Sequence, residues 1–467
     1  MQGLMAKQEE TLQIMKPKIS IETPVQLELE RHGAILAKII NQRHALVTLA
    51  DRIEWKRFEE LFSLTFDPGN GRPGLPTRLM VGLQYLKYAY DLSDEDVLMG
   101  WTENPYWQYF CGGVYFEHKL PLDSSSMTRW RERIAEAGAE QLLEETIRCG
   151  MEMKFIKPSS LKRINVDTTV QAKHIRHPTD ARLYDRARER LVKEAEKVAI
   201  PLRQNYNRVG KRALRRQSGY AKAQQYDRAR RETRKLKTIL GRVARDIKRK
   251  AKEPTLKMEE LLTLSERLLL QKREDHNKLY SIHEPQVECL AKGKPHKPYE
   301  FGCKVSVSTT ARDNWVVGVM ALAGNPYDGH TLRSALEQVE QLTGQKLEQA
   351  TCDMGYRGHK YEGPCHVEIV NRYRKAVPGS MRYWHRRRSA IEPIIGHMKG
   401  DCRMERNRLK GVLGDKMNAM LAGCGMNFRK LLRKLSNLFL RLLLEMLYRL
   451  FPVPKSCMQT SLLPGCV

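Results

Sequence analysis

KRINVDTTVQ, residues 162–171, alternates along its length. Ile164, Val166 and Val170 fall on one side, and Asn165, Asp167, Thr169 and Gln171 on the other. A period of two marks a strand with one apolar face. The stretch therefore predicts a strand whose apolar face is buried and whose polar face projects Asp167. Working outward, FGCKVSVSTT (301–310) alternates too. NWVVGVMALAG (314–324) is apolar on both faces, which predicts a central strand. LEQATCDMGYRG (347–358) reads as a short strand running into a glycine-rich turn, with Asp353 at the strand's end. HVEIVNR (366–372) predicts one more strand, and a helical stretch holding Glu392 follows.

Upstream, residues 1–155 read as helical. LPTRLMVGLQYLKYAY (75–90) places Leu79, Leu83 and Leu86 on one face, widened by Val81 and Tyr85. Ser93, with Asp96 three residues on, is close to a capping box. DSSSMTRWRERIAEAG (123–138) opens on cap residues and ends at a glycine. Helices of this length with short turns fit a helix-turn-helix-like module and a plain bundle equally well. Between the first and second strands, residues 181–250 hold 24 Lys+Arg and 7 Asp+Glu, a net +17. This segment predicts paired long helices, in the manner of a coiled-coil arm, broken near Pro201 and Gly210. MEELLTLSERLLLQ (258–271) adds an amphipathic helix.

At 467 residues the chain calls for two or more domains, and 41% hydrophobic residues supply a packed core. The net charge of +28 favours a polyanionic partner, nucleic acid above all. Ten cysteines form no C-x-x-C pair, so no structural zinc is expected and the thiols read as those of a cytosolic protein. MQGLMAKQEETLQIMK at the N-terminus lacks the apolar core of a signal peptide. LSNLFLRLLLEMLYRLF (435–451) carries Arg441, Glu445 and Arg449 and is shorter than a bilayer span. An amphipathic helix against a partner or the body of the protein is expected there, and no membrane.

RRRSAIEPIIGHMKG (386–400) keeps Glu392 among cations. On one continuous helix, Arg388, Glu392 and Lys399 fall within about 40° of one another. That is either an i,i+4 surface pair worth tenths of a kcal/mol or a metal-binding acid between two phosphate-binding cations. Pro393 fits such a helix only near its start or at a kink. Asp167, Asp353 and Glu392 lie on elements that can converge. Clustered acids repel, and a divalent metal reverses that cost. Hard oxygen ligands suit Mg²⁺, which serves in-line phosphoryl displacement.

The order Asp167, Asp353, Glu392 resembles the acidic triad of bacterial insertion-sequence transposases with a ribonuclease H-like core. INVDTTV and CDMGYRG resemble that family's two aspartate motifs. Arg388, Glu392 and Lys399 match most of the Tyr-Arg-Glu-Lys signature of insertion-sequence families four and five, with His385 where the Tyr should stand and Tyr383 two residues earlier. Residues 71–112, HPTDARL (177–183) and NPYDGHTL (325–332) also look like segments of family five. The resemblance implies an α+β or α/β fold. It implies a helical N-terminal domain for DNA binding or dimerisation over 1–155, a ribonuclease H-like mixed-sheet catalytic domain over 156–181 and 296–430 interrupted by the basic helical insertion 182–295, and an amphipathic tail at 431–467. It further implies Mg²⁺, with Mn²⁺ as a substitute, held by Asp167, Asp353 and Glu392. Arg388, Lys399, His385, Tyr356 and Arg357 are the expected DNA contacts. Cleavage would occur at terminal inverted repeats, and the 3′-OH ends would then join target DNA by transesterification. The implied form is a homodimer or higher synaptic assembly at the nucleoid of a bacterial cytoplasm. A metal-dependent nuclease of the same fold, or an inactive DNA-binding descendant, is the alternative.

Overall fold

The computed structural model describes residues 34–63, 74–294, 297–370 and 379–450. The strand expected at 162–171 forms as β1 (Arg163–Lys173), inside a seven-stranded mixed sheet. On one side β1 pairs antiparallel with β3 (Lys297–Thr310), with Asp167 opposite Val307. β3 also pairs antiparallel with β2 (Glu288–Lys294) and β4 (Val316–Leu322). On its other side β1 runs parallel to β5 (Gln349–Cys352), which runs parallel to β6 (His366–Ile369). The two-residue β7 (Arg406–Asn407) joins the far end of β1. The chain is thus a mixed α/β protein.

Both faces of β1 are covered. Ile164, Val166 and Val170 are buried, as their spacing requires, but Asn165, Thr169 and Gln171 are buried as well. The polar face is therefore not solvated. Helical segments from the C-terminal part cover it: Asn165 donates to the Arg387 carbonyl and Gln171 to that of Asp415. The Gln171 amide is partnered at both ends, its oxygen accepting from Asn418, whereas Asn165 is partnered only through its NH2.

β4 departs from the central position its apolar pattern predicted. It pairs only with β3 within the described sheet. Its burial comes from helices instead, which gives an edge strand the composition of a central one. Asn427, on the long C-terminal helix, accepts from the Val316 N–H at 3.0 Å and donates to its carbonyl at 2.8 Å. One side chain thus stands in for a neighbouring strand and blunts the edge.

Upstream of the sheet lie α1 (Leu36–Ile39), α2 (Ala45–Ala50), α3 (Trp55–Ser63), α4 (Thr77–Ala89), α5 (Asp94–Glu103), α6 (Pro105–Phe110), α7 (Ser124–Glu152) and α8 (Pro158–Leu161). The capping box forms at the start of α5: Asp96 N–H donates to Ser93 Oγ at 3.0 Å, and Ser93 N–H to Asp96 Oδ2 at 3.2 Å. α4 does not present one apolar stripe. Apart from Arg78 its residues are buried all round, because the C-terminal helix covers the side that local pattern leaves polar. α7 does not end at Gly138. It kinks at Ala135, where φ is 51°, and resumes to Glu152. A kink there, three residues before the glycine, is what a local reading takes for a terminus.

The basic segment forms α9 (Asp180–Lys197), α10 (Asn207–Lys222), α11 (Tyr226–Lys250) and α12 (Leu256–Leu270). They pack into a four-helix cluster rather than a coiled-coil arm, around Leu191, Leu236, Leu240, Ile247 and Leu261 among others. The break near Pro201 is present, but Gly210 lies inside α10. Its role is close approach. A Cβ there would meet Asp185 Oδ1 at 2.6 Å and Arg188 Nε at 2.8 Å, the buried ion pair of α9.

After β4, α13 (Asp328–Thr343) makes the crossover to β5 that parallel strands require. β6 is followed by α14 (Gly379–Arg388) and α15 (Ile391–Asp401), and after β7 by α16 (Gly411–Leu450). α16 packs on α4, α7 and β4, so the upstream helices and the sheet share one hydrophobic core. It runs without a break through residue 431, where the tail was expected to begin. The eight described cysteines are all unpaired. Among the described residues no helix is long and apolar enough to cross a membrane. The N-terminal stretch 1–16, residues 71–73 of the 71–112 segment, the end of HVEIVNR and residues 451–467 lie outside the described residues.

Candidate active site

Register brings the acids together. Asn165 of β1 pairs with Thr351 of β5 in parallel, so Asp167 and Asp353, each two residues on, fall beside one another. The Thr168 N–H donates to Asp167 Oδ1 at 2.8 Å. Asp353 caps the short turn Met354–Tyr356, accepting from the Gly355 N–H at 2.9 Å. Glu392 comes from the first turn of α15.

The cation between them is Arg388. Its Nη2 lies 2.9 Å from Asp167 Oδ2 and 3.3 Å from Asp353 Oδ2, and its Nη1 lies 2.9 Å from Glu392 Oε1. Side-chain exposure rises from 9% at Arg388 through 15% at Asp167 and 40% at Asp353 to 52% at Glu392. The site is therefore a charged cluster with a buried floor and an open mouth. The Arg388–Glu392 pair expected for a surface helix exists, but the same guanidinium also holds two acids from distant strands. The single helical face drawn through Arg388, Glu392 and Lys399 is not present. The helix breaks at Ser389–Ala390, because Pro393 lacks an N–H and suits only a first turn. Lys399 shares α15 with Glu392, whereas Arg388 reaches over from the end of α14.

Neighbouring residues fix Arg388 in place. Arg387 donates to the Ala311 carbonyl (3.1 Å), the Arg312 carbonyl (2.7 Å) and Asn314 Oδ1 (2.8 Å), clamping the end of α14 to the β3–β4 turn. His385 Nε2 lies 2.9 Å from Glu368 Oε1 on β6. Trp384 is covered by the Arg163 guanidinium, 4.8 Å from its ring centroid. Arg357 is exposed beside Asp353, consistent in position with a ligand contact. Tyr356 is not: it is fully buried, burial pushes its phenol well up, and the DNA contact expected of it is withdrawn. Behind the acids, burial and then Asp353 push the Cys352 thiol well up, so it stays a neutral thiol.

A fourth carboxylate escaped the sequence reading. Asp328, at the start of α13, accepts from Thr168 Oγ at 3.0 Å and from Lys304 Nζ at 2.9 Å. A Cβ on Gly355 would meet Asp353 Oδ1 at 3.0 Å and Asp328 Oδ2 at 3.1 Å, so both acids crowd that glycine. The available signal was a lysine at 304 within an otherwise half-apolar strand, which calls for a buried partner.

Among the described residues, no three His, Cys, Asp or Glu side chains stand together as a ready metal-ligand group. The three acids are instead joined through Arg388. Their oxygens are nonetheless a hard donor set that already holds positive charge at its centre, which fits a divalent cation in the guanidinium's place.

Residues 34–133 match the family described as Transposase domain (DUF772). Over 191 residues the chain is 52% identical to the uncharacterized protein ORF8 in the nfe locus of Rhizobium meliloti. That alignment spans 41% of this chain and 92% of the Rhizobium protein. The chain belongs to that protein's family and is transposase-like. The matched domain of this transposase-like protein runs from before α1 into α7 and contains none of the three acids. No solved structure matches.

Proposed function

We propose that the chain is a DNA transposase of the Asp-Asp-Glu type with a ribonuclease H-like core. The observation that carries the reading is the convergence of Asp167, Asp353 and Glu392 on one guanidinium. The sheet supports it: an antiparallel run β4–β3–β1 continues into β5 and β6, both parallel to β1. The acids stand on the first strand, after the fourth strand of that run, and on a helix beyond the fifth. The transposase domain match supports the substrate class.

In this reading Asp167, Asp353 and Glu392 hold Mg²⁺, or Mn²⁺ in its place. When bound, such ions stabilise the attacking and leaving oxygens of an in-line phosphoryl displacement. Arg388, freed from the acids, and Lys399 grip phosphates near the cleaved end. Arg357 lies at the open mouth, where it meets the same backbone. His385, expected as a DNA contact, is only 10% exposed and tied to Glu368, so in this reading it orients α14 instead. Hydrolysis at the terminal inverted repeats exposes 3′-OH groups. Each hydroxyl attacks a target phosphodiester, forming one P–O bond as another breaks. Joining two ends requires a dimer or a larger assembly, working at the nucleoid in the cytoplasm.

The test is cleavage and strand transfer on DNA carrying the element's own ends, with Mg²⁺, for wild type and Glu392→Gln. Loss of both activities with DNA binding retained is the expected result. Undiminished activity would leave Glu392 a mere ion-pair partner and remove the reading's foundation.

A further inference from the structure

α9 carries a feature that total charge does not reveal. Arg182, Arg186, Arg190, Lys193 and Lys197 stand at i, i+4, i+8, i+11 and i+15, within about 80° of one another on the helix. All are exposed except the half-buried Arg190. The opposite face, through Leu183, Leu191 and Ala195, is buried in the four-helix core. The stripe is roughly 22 Å long at helical rise, the length of about six or seven base pairs.

Two clefts flank it and share Arg186 and Glu189. One, of about 680 Å³, adds Arg176 and Arg406 at the end of β1. The other, of about 620 Å³, adds Lys211 and Lys257. Most of the acids here are already engaged. Glu189 lies 3.1 Å from Arg186, Asp185 pairs with buried Arg188, and Glu194 lies 3.4 Å from Lys197 and 3.8 Å from Lys257. Glu196 also lines the second cleft, yet the cations outnumber the acids along the whole stripe. Among the described residues, no large apolar side chain is exposed between 182 and 197, so the face lacks the anchor that a membrane surface or a protein interface uses.

We propose that this face of α9, with Arg176 and Arg406 at one end, is a track for the phosphate backbone of duplex DNA. The proposal rests on the DNA-processing reading above and gives its flanking contact a location. The track begins where β1 ends at Lys173, roughly 20 Å along the strand from Asp167. It therefore holds duplex flanking the reacting phosphodiester, and it holds it without reading bases.

The test compares the full-length chain with Arg182→Ala/Lys193→Ala/Lys197→Ala for binding to a 30-base-pair duplex by fluorescence anisotropy over a range of KCl concentrations. Three lost phosphate contacts reduce the slope of log K against log salt by about 2–3. Affinity at about 0.1 M salt falls at least tenfold, while the melting temperature is unchanged. A corresponding triple Gln variant, which keeps side-chain length, gives the same result if charge is the cause. Wild-type slope and affinity in both variants overturn the track and leave the transposase reading standing. Failure of the wild type to bind any duplex, or its preference for anionic vesicles, overturns both.

Discussion

Arg388→Gln isolates what the central guanidinium does. The wild-type side chain, 9% exposed, bridges Asp167 at 2.9 Å, Asp353 at 3.3 Å and Glu392 at 2.9 Å. At an effective dielectric near 20, each contact is a Coulomb attraction of about 5 kcal/mol before desolvation. The three do not add. Glu392 and Asp353 are more than a third exposed, so each contributes about the value of a surface pair, below ~1 kcal/mol. Asp167 is half-buried and keeps its bond from the Thr168 N–H, so losing the charge-assisted contact with Arg388 costs about 1.5–3 kcal/mol. Arg388→Gln is therefore expected to destabilise the metal-free protein by about 2–4 kcal/mol. A divalent ion then changes the balance. In the wild type it must displace a resident cation, and in the variant it meets three carboxylates that the guanidinium no longer bridges. Mn²⁺ should bind the variant at least tenfold more tightly and restore most of the lost stability. The assay is calorimetric titration without DNA, with melting curves in the presence and absence of Mn²⁺. Weaker or equal Mn²⁺ binding in Arg388→Gln would refute competition and make the guanidinium a support that holds the acids ready. Loss of Mn²⁺ binding in Asp167→Asn is the control that places the ion at these acids.

Three other outcomes are expected. Burial opposes the Asp94 charge, but Arg131 and Lys87 hold its pKa down to about 2. Its folded pKa is below the unfolded value, so the stabilisation of about 2–3 kcal/mol is present above about pH 4 and is lost as pH falls through 2; Asp94→Asn should remove it at pH 7, and a stability–pH profile of the variant that still falls across that window by the same amount would contradict this. The Tyr356 hydroxyl is buried with no hydrogen-bond partner, so Tyr356→Phe should leave stability within about 1 kcal/mol and DNA affinity unchanged; a tenfold loss of affinity would restore its DNA-contact role. Gly210→Val drives a side chain into the Asp185–Arg188 pair and should cost at least ~3 kcal/mol in chemical denaturation, whereas a cost below 1 kcal/mol would mean that α9 and α10 can separate freely.

Elements whose environment is set by their own neighbours in sequence are legible locally. The Ser93–Asp96 box needs only four consecutive residues. β1 and β5 carry their own alternation or apolar run, so the strand that holds Asp167 and the strand end that leads to Asp353 are legible in sequence. Local pattern misleads where a distant segment decides the environment. α4 looks one-sided until α16, more than 300 residues later, covers it. β4 looks central because helices, rather than strands, bury its faces. Tyr356 follows the second aspartate motif in sequence, yet its ring turns inward while the neighbouring arginine stays exposed. Arg388 meets Asp167 across 221 residues, and no periodicity within 386–400 encodes that contact. Asp328 and Lys304, 24 residues apart on different element types, form a pair that only the packed fold displays.

The position of the basic helices explains why they can be accommodated without disturbing the acids. β1 hands over to them after Lys173, and the chain returns to the sheet at β2. Ala172 and Glu288 both lie opposite Gly302 of β3, so departure and return occur at the same end of the sheet. A segment whose ends already lie close together adds closure entropy only logarithmically with its length. Asp167 is several residues back along β1, opposite Val307. A buried ionic hub secures the departure point: Lys173 Nζ lies 2.8 Å from Asp415 of α16 and 3.1 Å from Glu284, which in turn accepts from the Gly411 N–H. The strand that carries the first acid, the segment that returns from the basic helices to β2 and the helix that closes the core therefore meet at one lysine. Those contacts tie down the end of β1 from which α9 departs, the end a duplex would cross to reach from the α9 track to the carboxylates.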